Sequence, residues 1–203
     1  MFKYLFTVIA VLFVSVKVYA NDYYKALEYF NKKKIEQSIV HFKKVAEDKG
    51  HEKRSEAMFN IALIYDNGFG VQTDKTRAIF YYQAASQLSN KFALFNLGWM
   101  YYNGENVNKD VFKAFELYKA ASDFGHPRAM YNLANMHFSG TGTVKDLKMA
   151  YKLFLKSKMN GISESDFFIS KIENILTQEE LDLLNKEFES LIEKKIVLPV
   201  SSN

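Results

Sequence analysis

Three stretches of the chain repeat one another at a fixed interval, and that interval restricts the possible folds more than any other feature of the sequence. Ala57-Met58-Phe59-Asn60-Ile61-Ala62 recurs as Ala93-Leu94-Phe95-Asn96-Leu97-Gly98 and again as Ala129-Met130-Tyr131-Asn132-Leu133-Ala134, each copy 36 residues after the last. The register persists downstream through Tyr65, Tyr101 and His137, then Gly68, Gly104 and Gly140, then Asp74, Asp110 and Asp146. Ala78, Ala114 and Ala150 follow, then Tyr82, Tyr118 and Phe154, then Ala85, Ala121 and Ser157. Periods of this size belong to stacked supersecondary units, none of which can bury its apolar face alone.

Each unit reads as two helices. In the first, small residues (Ala57 and Ala62, Ala93 and Gly98, Ala129 and Ala134) alternate with large apolar ones at helical spacing, so a neighbouring helix can approach closely. This helix A stops at Asn67-Gly68, Asn103-Gly104 and Ser139-Gly140, where glycine can take the left-handed conformation that ends a helix. Asp74, Asp110 and Asp146 each stand four residues before the alanine that opens the next apolar stripe, the place of an N-cap or first-turn acid. Helix B then carries Ala78-Ile79, Tyr82 and Ala85 with their counterparts, and ends near Ser89, Gly125 and Gly161.

The phrase from Ala93 to Gly104, with Val107, Asp110, Lys113-Ala114-Phe115, Tyr118-Lys119-Ala120-Ala121 and Gly125, resembles the Sel-one-like repeat, a relative of the tetratricopeptide repeat with a slightly longer loop between its helices. The match covers residues 55–162 in three registered copies. The resemblance implies an all-α fold, an α-solenoid wound as a right-handed superhelix, of the kind that serves as an adaptor in protein complexes.

Outside the three copies the chain diverges. Residues 21–54 read as a shorter helix pair in which Ser38-Ile39, Phe42 and Val45-Ala46 echo the helix B stripe without the glycine loop. Residues 163–196 hold a degenerate helix A, in which Ser165-Asp166-Phe167-Phe168-Ile169 has lost the asparagine and the glycine loop. They also hold a capping helix begun by a Thr177/Glu180 capping box, with Leu181, Leu184, Phe188, Leu191 and Ile192 on one face. Residues 197–203 read as a flexible tail.

At the start, a basic Met1-Phe2-Lys3, an apolar run from Leu5 to Val16 and the Val18-Tyr19-Ala20 ending form the pattern of a secretory signal over residues 1–20, cleaved after Ala20. The alternative is a retained membrane anchor, against which stands the shortness of the run, since a span usually needs about twenty apolar residues. The expected location is therefore periplasmic or secreted, with no stable membrane insertion after cleavage. Without Lys3 and Lys17 the formal charge falls from +4 to about +2, which gives no concentrated basic face for nucleic acid. The chain has no Cys, so it has neither disulfides nor thiol catalysis nor thiolate metal sites, and packing alone must stabilise it.

Signs of catalysis are sparse. None of the four histidines pairs with another at the spacing that sets two ligands on one helix face, and His137 stands where the other copies have Tyr65 and Tyr101, which reads as a packed aromatic substitute. No phosphate loop or nucleophilic serine elbow is present, and no cofactor is called for. By resemblance to tetratricopeptide repeats, the asparagine of each copy and the positions three and six residues later face the inside of the superhelix. Here these are Asn60, Leu63 and Asp66, then Asn96, Trp99 and Tyr102, then Asn132, Asn135 and Phe138. An asparagine can serve a bound peptide backbone as both donor and acceptor, and exposed aromatics tend to dominate interfaces. The bland alternative has the asparagines bonding within the repeat and the aromatics packing on the next helix. The function expected is a non-catalytic scaffold that binds an extended segment or helix of a protein partner. Alternatives are a β-lactam-binding or hydrolysing envelope protein, or an accessory of peptidoglycan, motility or secretion machinery.

Overall fold

The computed structural model describes residues 22–197, and every element among them is helical. The signal expected over residues 1–20 and the tail beyond 197 lie outside the described residues. The chain divides into two compact units, one ending at Lys109 and one beginning at Asp110. The first holds α1 (22–31), α2 (Ile35–Glu47), α3 (Arg54–Asn67), α4 (Lys75–Gln87) and α5 (Lys91–Asn103). The second holds α6 (Val111–Asp123), α7 (Pro127–Ser139), α8 (Leu147–Met159), α9 (Ser165–Glu173) and α10 (Gln178–Val197).

Local signals account for the helix ends. Asp74, Asp110 and Asp146 are N-caps, their carboxylates accepting from the backbone N–H of Arg77, Lys113 and Met149. Each satisfies one of the orphan donors of a helix start. Gly68, Gly104 and Gly140 close α3, α5 and α7 in the left-handed conformation, with φ of 68°, 75° and 78°. At the end of α4 the equivalent of Gly125 and Gly161 is Ser89, which takes φ 60° without being glycine. The Thr177/Glu180 capping box forms as the sequence predicts, Thr177 N donating to Glu180 Oε2 at 3.0 Å and Glu180 N to Thr177 Oγ1 at 3.3 Å. Two further caps stand outside that pattern: Asn90 starts α5 by accepting from Phe92 N and Ala93 N, and His126 starts α7 by accepting from Ala129 N through Nδ1 at 3.2 Å, with Pro127 at the first helical position.

The small residues do what their spacing requires. Ala57, Ala62, Ala78, Ala85 and Ala93 in the first unit, and Ala114, Ala121, Ala129, Ala134 and Ala150 in the second, are fully buried, so helix pairs close until backbone meets side chain. Between them sit Tyr82 and Tyr118 at one repeat position and Phe154 at its third copy, all essentially without solvent contact. Gly142, in the loop between α7 and α8, has φ +69°, and a Cβ there would stand 2.6 Å from Val111 O and 2.9 Å from Met136 Cε. The loop thus lies directly on the start of α6.

Of the face expected on the last helix, Leu181 and Leu184 are buried and Phe188 is half-buried. The side chains of Leu191 and Ile192 lie outside the described residues. Among the described residues, no helix is long and apolar enough to cross a membrane.

Candidate functional site

The helix A face takes its form from how its asparagines are used. In the first unit Tyr82 of α4 is completely buried, and its hydroxyl donates to Asp66 Oδ2 at 3.0 Å while accepting from the Asn96 amide. Burial above all, and then the Asp66 charge, push the Tyr82 hydroxyl well above the ordinary tyrosine range, so it stays a proton donor. Asp66 uses its other oxygen on Lys75 Nζ at 2.7 Å, and Lys75 also approaches Glu105 at 3.9 Å. One tyrosine hydroxyl therefore joins α3, α4 and α5, and brings Asp66 and Asn96 together at a single point.

Asn60 has the same relation to a different ring. Phe42 stands on the helix B stripe of the first pair and offers no hydroxyl, so Asn60 Nδ2 donates to Tyr23 Oη of α1 at 3.4 Å, with Tyr23 set edge-on to Phe42 at 5.7 Å. Burial raises the Tyr23 hydroxyl too. Where the partner at the asparagine position is apolar, the tyrosine position becomes apolar as well. Phe168, 36 residues after Asn132, stacks flat on Phe154, with centroids 4.9 Å apart and planes 5° apart. A hydrogen-bonded Tyr/Asn pair in the first unit is thus a stacked Phe/Phe pair in the second.

With the Asn60 and Asn96 amides engaged, the aromatics carry the exposed surface of the first unit. Trp99 is 45% exposed and Tyr102, one turn further along α5, 36% exposed, on the same helical face as Asn96. Lys109 Nζ lies 5.9 Å from the Tyr102 ring centre, within cation–π reach. Leu63 is half-buried on α3. In the second unit Asn132 is half-buried, and Asn135 donates to the Tyr131 carbonyl of its own helix at 3.0 Å. Phe138 sets its edge against Phe168 at 5.4 Å and is half-buried. The structure joins Asp66, Asn96, Trp99 and Tyr102 within the first unit, and Asn132, Asn135 and Phe138 lie on one helix of the second.

The histidines all have structural work. His41 Nδ1 pairs with Asp22 at 2.5 Å and its ring stacks on Tyr29; His51 Nδ1 accepts from Lys53 N at 2.9 Å; His126 is a cap. His137 packs edge-on against Phe115 at 5.3 Å and donates to the Val144 carbonyl, while its buried Nδ1 has no partner. Burial, the dominant effect, pulls its pKa below the usual histidine range. Among the described residues no group of three or more His, Asp or Glu side chains is placed to hold a metal ion.

Caps, loops and small-residue seams on a fixed period define a repeat protein built of helix pairs, with large aromatics among its exposed side chains. The Sel1 repeat model matches residues 16–32, 55–90, 91–126 and 127–162, more than half of the chain, and the protein belongs to that family. Members of the family are generally protein-interaction scaffolds. Comparison with curated proteins returns no match. Among solved structures, the chain is similar to a Sel1 repeat protein from Oxalobacter formigenes, with 26% identity and a TM-score of 0.65 over 72% of this chain and 59% of that one. It is also similar in fold to c5321, a protective antigen of uropathogenic Escherichia coli with an SLR fold, at 23% identity and a TM-score of 0.69, over 91% of this chain and 42% of that one. The chain thus spans about three fifths of the first relative and about two fifths of the second.

Proposed function

We propose that the protein is an exported, non-catalytic adaptor, acting in the periplasm or outside the cell, that holds an extended segment or a helix of a partner protein against its helix A face. The observation that carries this reading is the pair Trp99 and Tyr102. Both are large aromatics on one face of α5, left substantially exposed although the asparagine beside them is committed to Tyr82. A rigid aromatic on a braced helix is the side chain that loses least entropy on contact and gains most from being covered. The Tyr82 tie fixes the base of the face and leaves its rim open. A partner backbone would find its polar contacts in Tyr102 and in the partly exposed Asp66–Lys75 pair.

Export is supported by the apolar run from Leu5 to Val16 and the small residues before position 21. The mature protein is expected to begin at Asn21, and N-terminal sequencing of material released from the cell envelope checks this. Met1 retained on a membrane-bound form would reject it. The adaptor reading is tested with the immobilised mature protein and envelope extract: proteins retained by the parent should be lost from Trp99→Ala. Retention by both to the same extent would reject the face.

A further inference from the structure

Helix α10 is held to α8 differently from the way the repeats hold one another. Among its described side chains Leu181 and Leu184 are buried and Phe188 is half-buried, and polar contacts to α8 add to them. Lys148 Nζ of α8 meets Glu180 at 3.0 Å, Lys152 pairs with Glu187, and the Tyr151 hydroxyl lies 3.2 Å from Asn185 Oδ1. The same hydroxyl lies 3.1 Å from Glu173 Oε1 of α9. It has one proton to give, so its bond to α10 can be surrendered without leaving the buried group unsatisfied. Both ion pairs are partly exposed, the kind that salt screens and that contributes little alone.

The charges on the two helices are segregated. Lys148, Lys152 and Lys156 follow at every fourth residue, one row along α8, which has no acidic residue between Leu147 and Met159. On α10, Glu180 and Glu187 meet two of these lysines, and between Gln178 and Glu189 the helix also carries Glu179, Asp182 and Glu189 against Lys186 alone. The α8 surface is therefore shaped for a particular ligand, an acidic helix with two leucines one turn apart, and α10 is an example of it.

We propose that α10 is a displaceable, intramolecular occupant of a docking face on α8, and that this face takes in its place an acidic amphipathic helix of a partner protein bearing a Leu-x-x-Leu pair flanked by carboxylates. The site is separate from the helix A face and does not rest on that reading. Apparent affinity for such a helix is the intrinsic affinity reduced by the fraction of molecules in which α10 is away. Weakening the internal clasp while keeping the lysines must therefore strengthen binding in trans.

The probe is a fluorescent peptide of residues 177–197, titrated into the full-length mature chain at low ionic strength. Glu180→Lys/Glu187→Lys should bind it at least tenfold more tightly than the parent. The gain should disappear on raising the salt, or on adding Lys148→Glu and Lys152→Glu. Hydrogen exchange on the same samples reports whether α10 has opened and whether α6 to α9 remain folded. Equal affinity of parent and Glu180→Lys/Glu187→Lys overturns the proposal, as does failure of the peptide to bind while the α10 amides exchange freely. A dimer formed by exchange of α10, seen by light scattering, would assign the face to a second copy and overturn the partner reading.

Discussion

Phe154→Ala is expected to cost about 3–5 kcal/mol, the largest loss of any substitution considered for the second unit. The ring is completely buried, lies flat on Phe168, and receives the edge of Tyr131 at 5.7 Å. Its removal leaves a cavity where α7, α8 and α9 meet, and the fixed helix ends give those elements little freedom to collapse into it. Chemical denaturation followed by circular dichroism measures the loss. A cost under about 1 kcal/mol would mean that the site relaxes like a surface position, and that the aromatic cluster is not the core of this unit.

Gly142→Ala should be about as damaging, by about 2–5 kcal/mol, for a different reason. A left-handed φ costs a residue with a Cβ about 1–2 kcal/mol, and overpacking adds about 1–3 kcal/mol more. Here the first contact of the new methyl is the backbone oxygen of Val111, which cannot rotate away as the end of a side chain could. Gly125→Ala supplies the control, since its φ is also positive but nothing lies within 4 Å of the added atom. The difference between the two melting midpoints isolates the clash from the backbone strain. Equal losses would show that the α7–α8 loop moves off α6 at little cost.

What could be read from the sequence was local or periodic. The three N-cap aspartates, the left-handed glycines that end helix A, the buried alanine seams and the Thr177/Glu180 box all depend on residues within a few positions of one another, or on the interval itself. The bonding of the asparagines was not legible in that way. Register set Asn60 and Asn96 on one face but left open whether their amides bond within the repeat or wait for a ligand, because the answer lies with a tyrosine on another helix. A signal was nevertheless present. The exchange of Asn for Phe at position 168 coincides with that of Tyr for Phe at 154, which is how two residues in contact change together. Pro127 marked the start of α7, but residue type did not announce His126 as its cap, since histidine is an unusual N-cap. The segregation of charge between α8 and α10 was present in the sequence as well, but only the packing of the two helices gives it meaning.

Trp99→Ala tests the adaptor account most directly, because stability and binding are forecast to part there. With 45% of Trp99 already in solvent, its loss should lower stability by about 1–2 kcal/mol and leave the helical fold intact. Affinity of the folded variant for a partner protein retained by the parent should meanwhile fall by about 2 kcal/mol or more, roughly thirtyfold, as at a hot spot. A thermal melt and a binding titration on the same preparation give both numbers. Loss of about 3–5 kcal/mol of stability with undiminished affinity in the protein that remains folded would identify Trp99 as a packing residue and contradict the account.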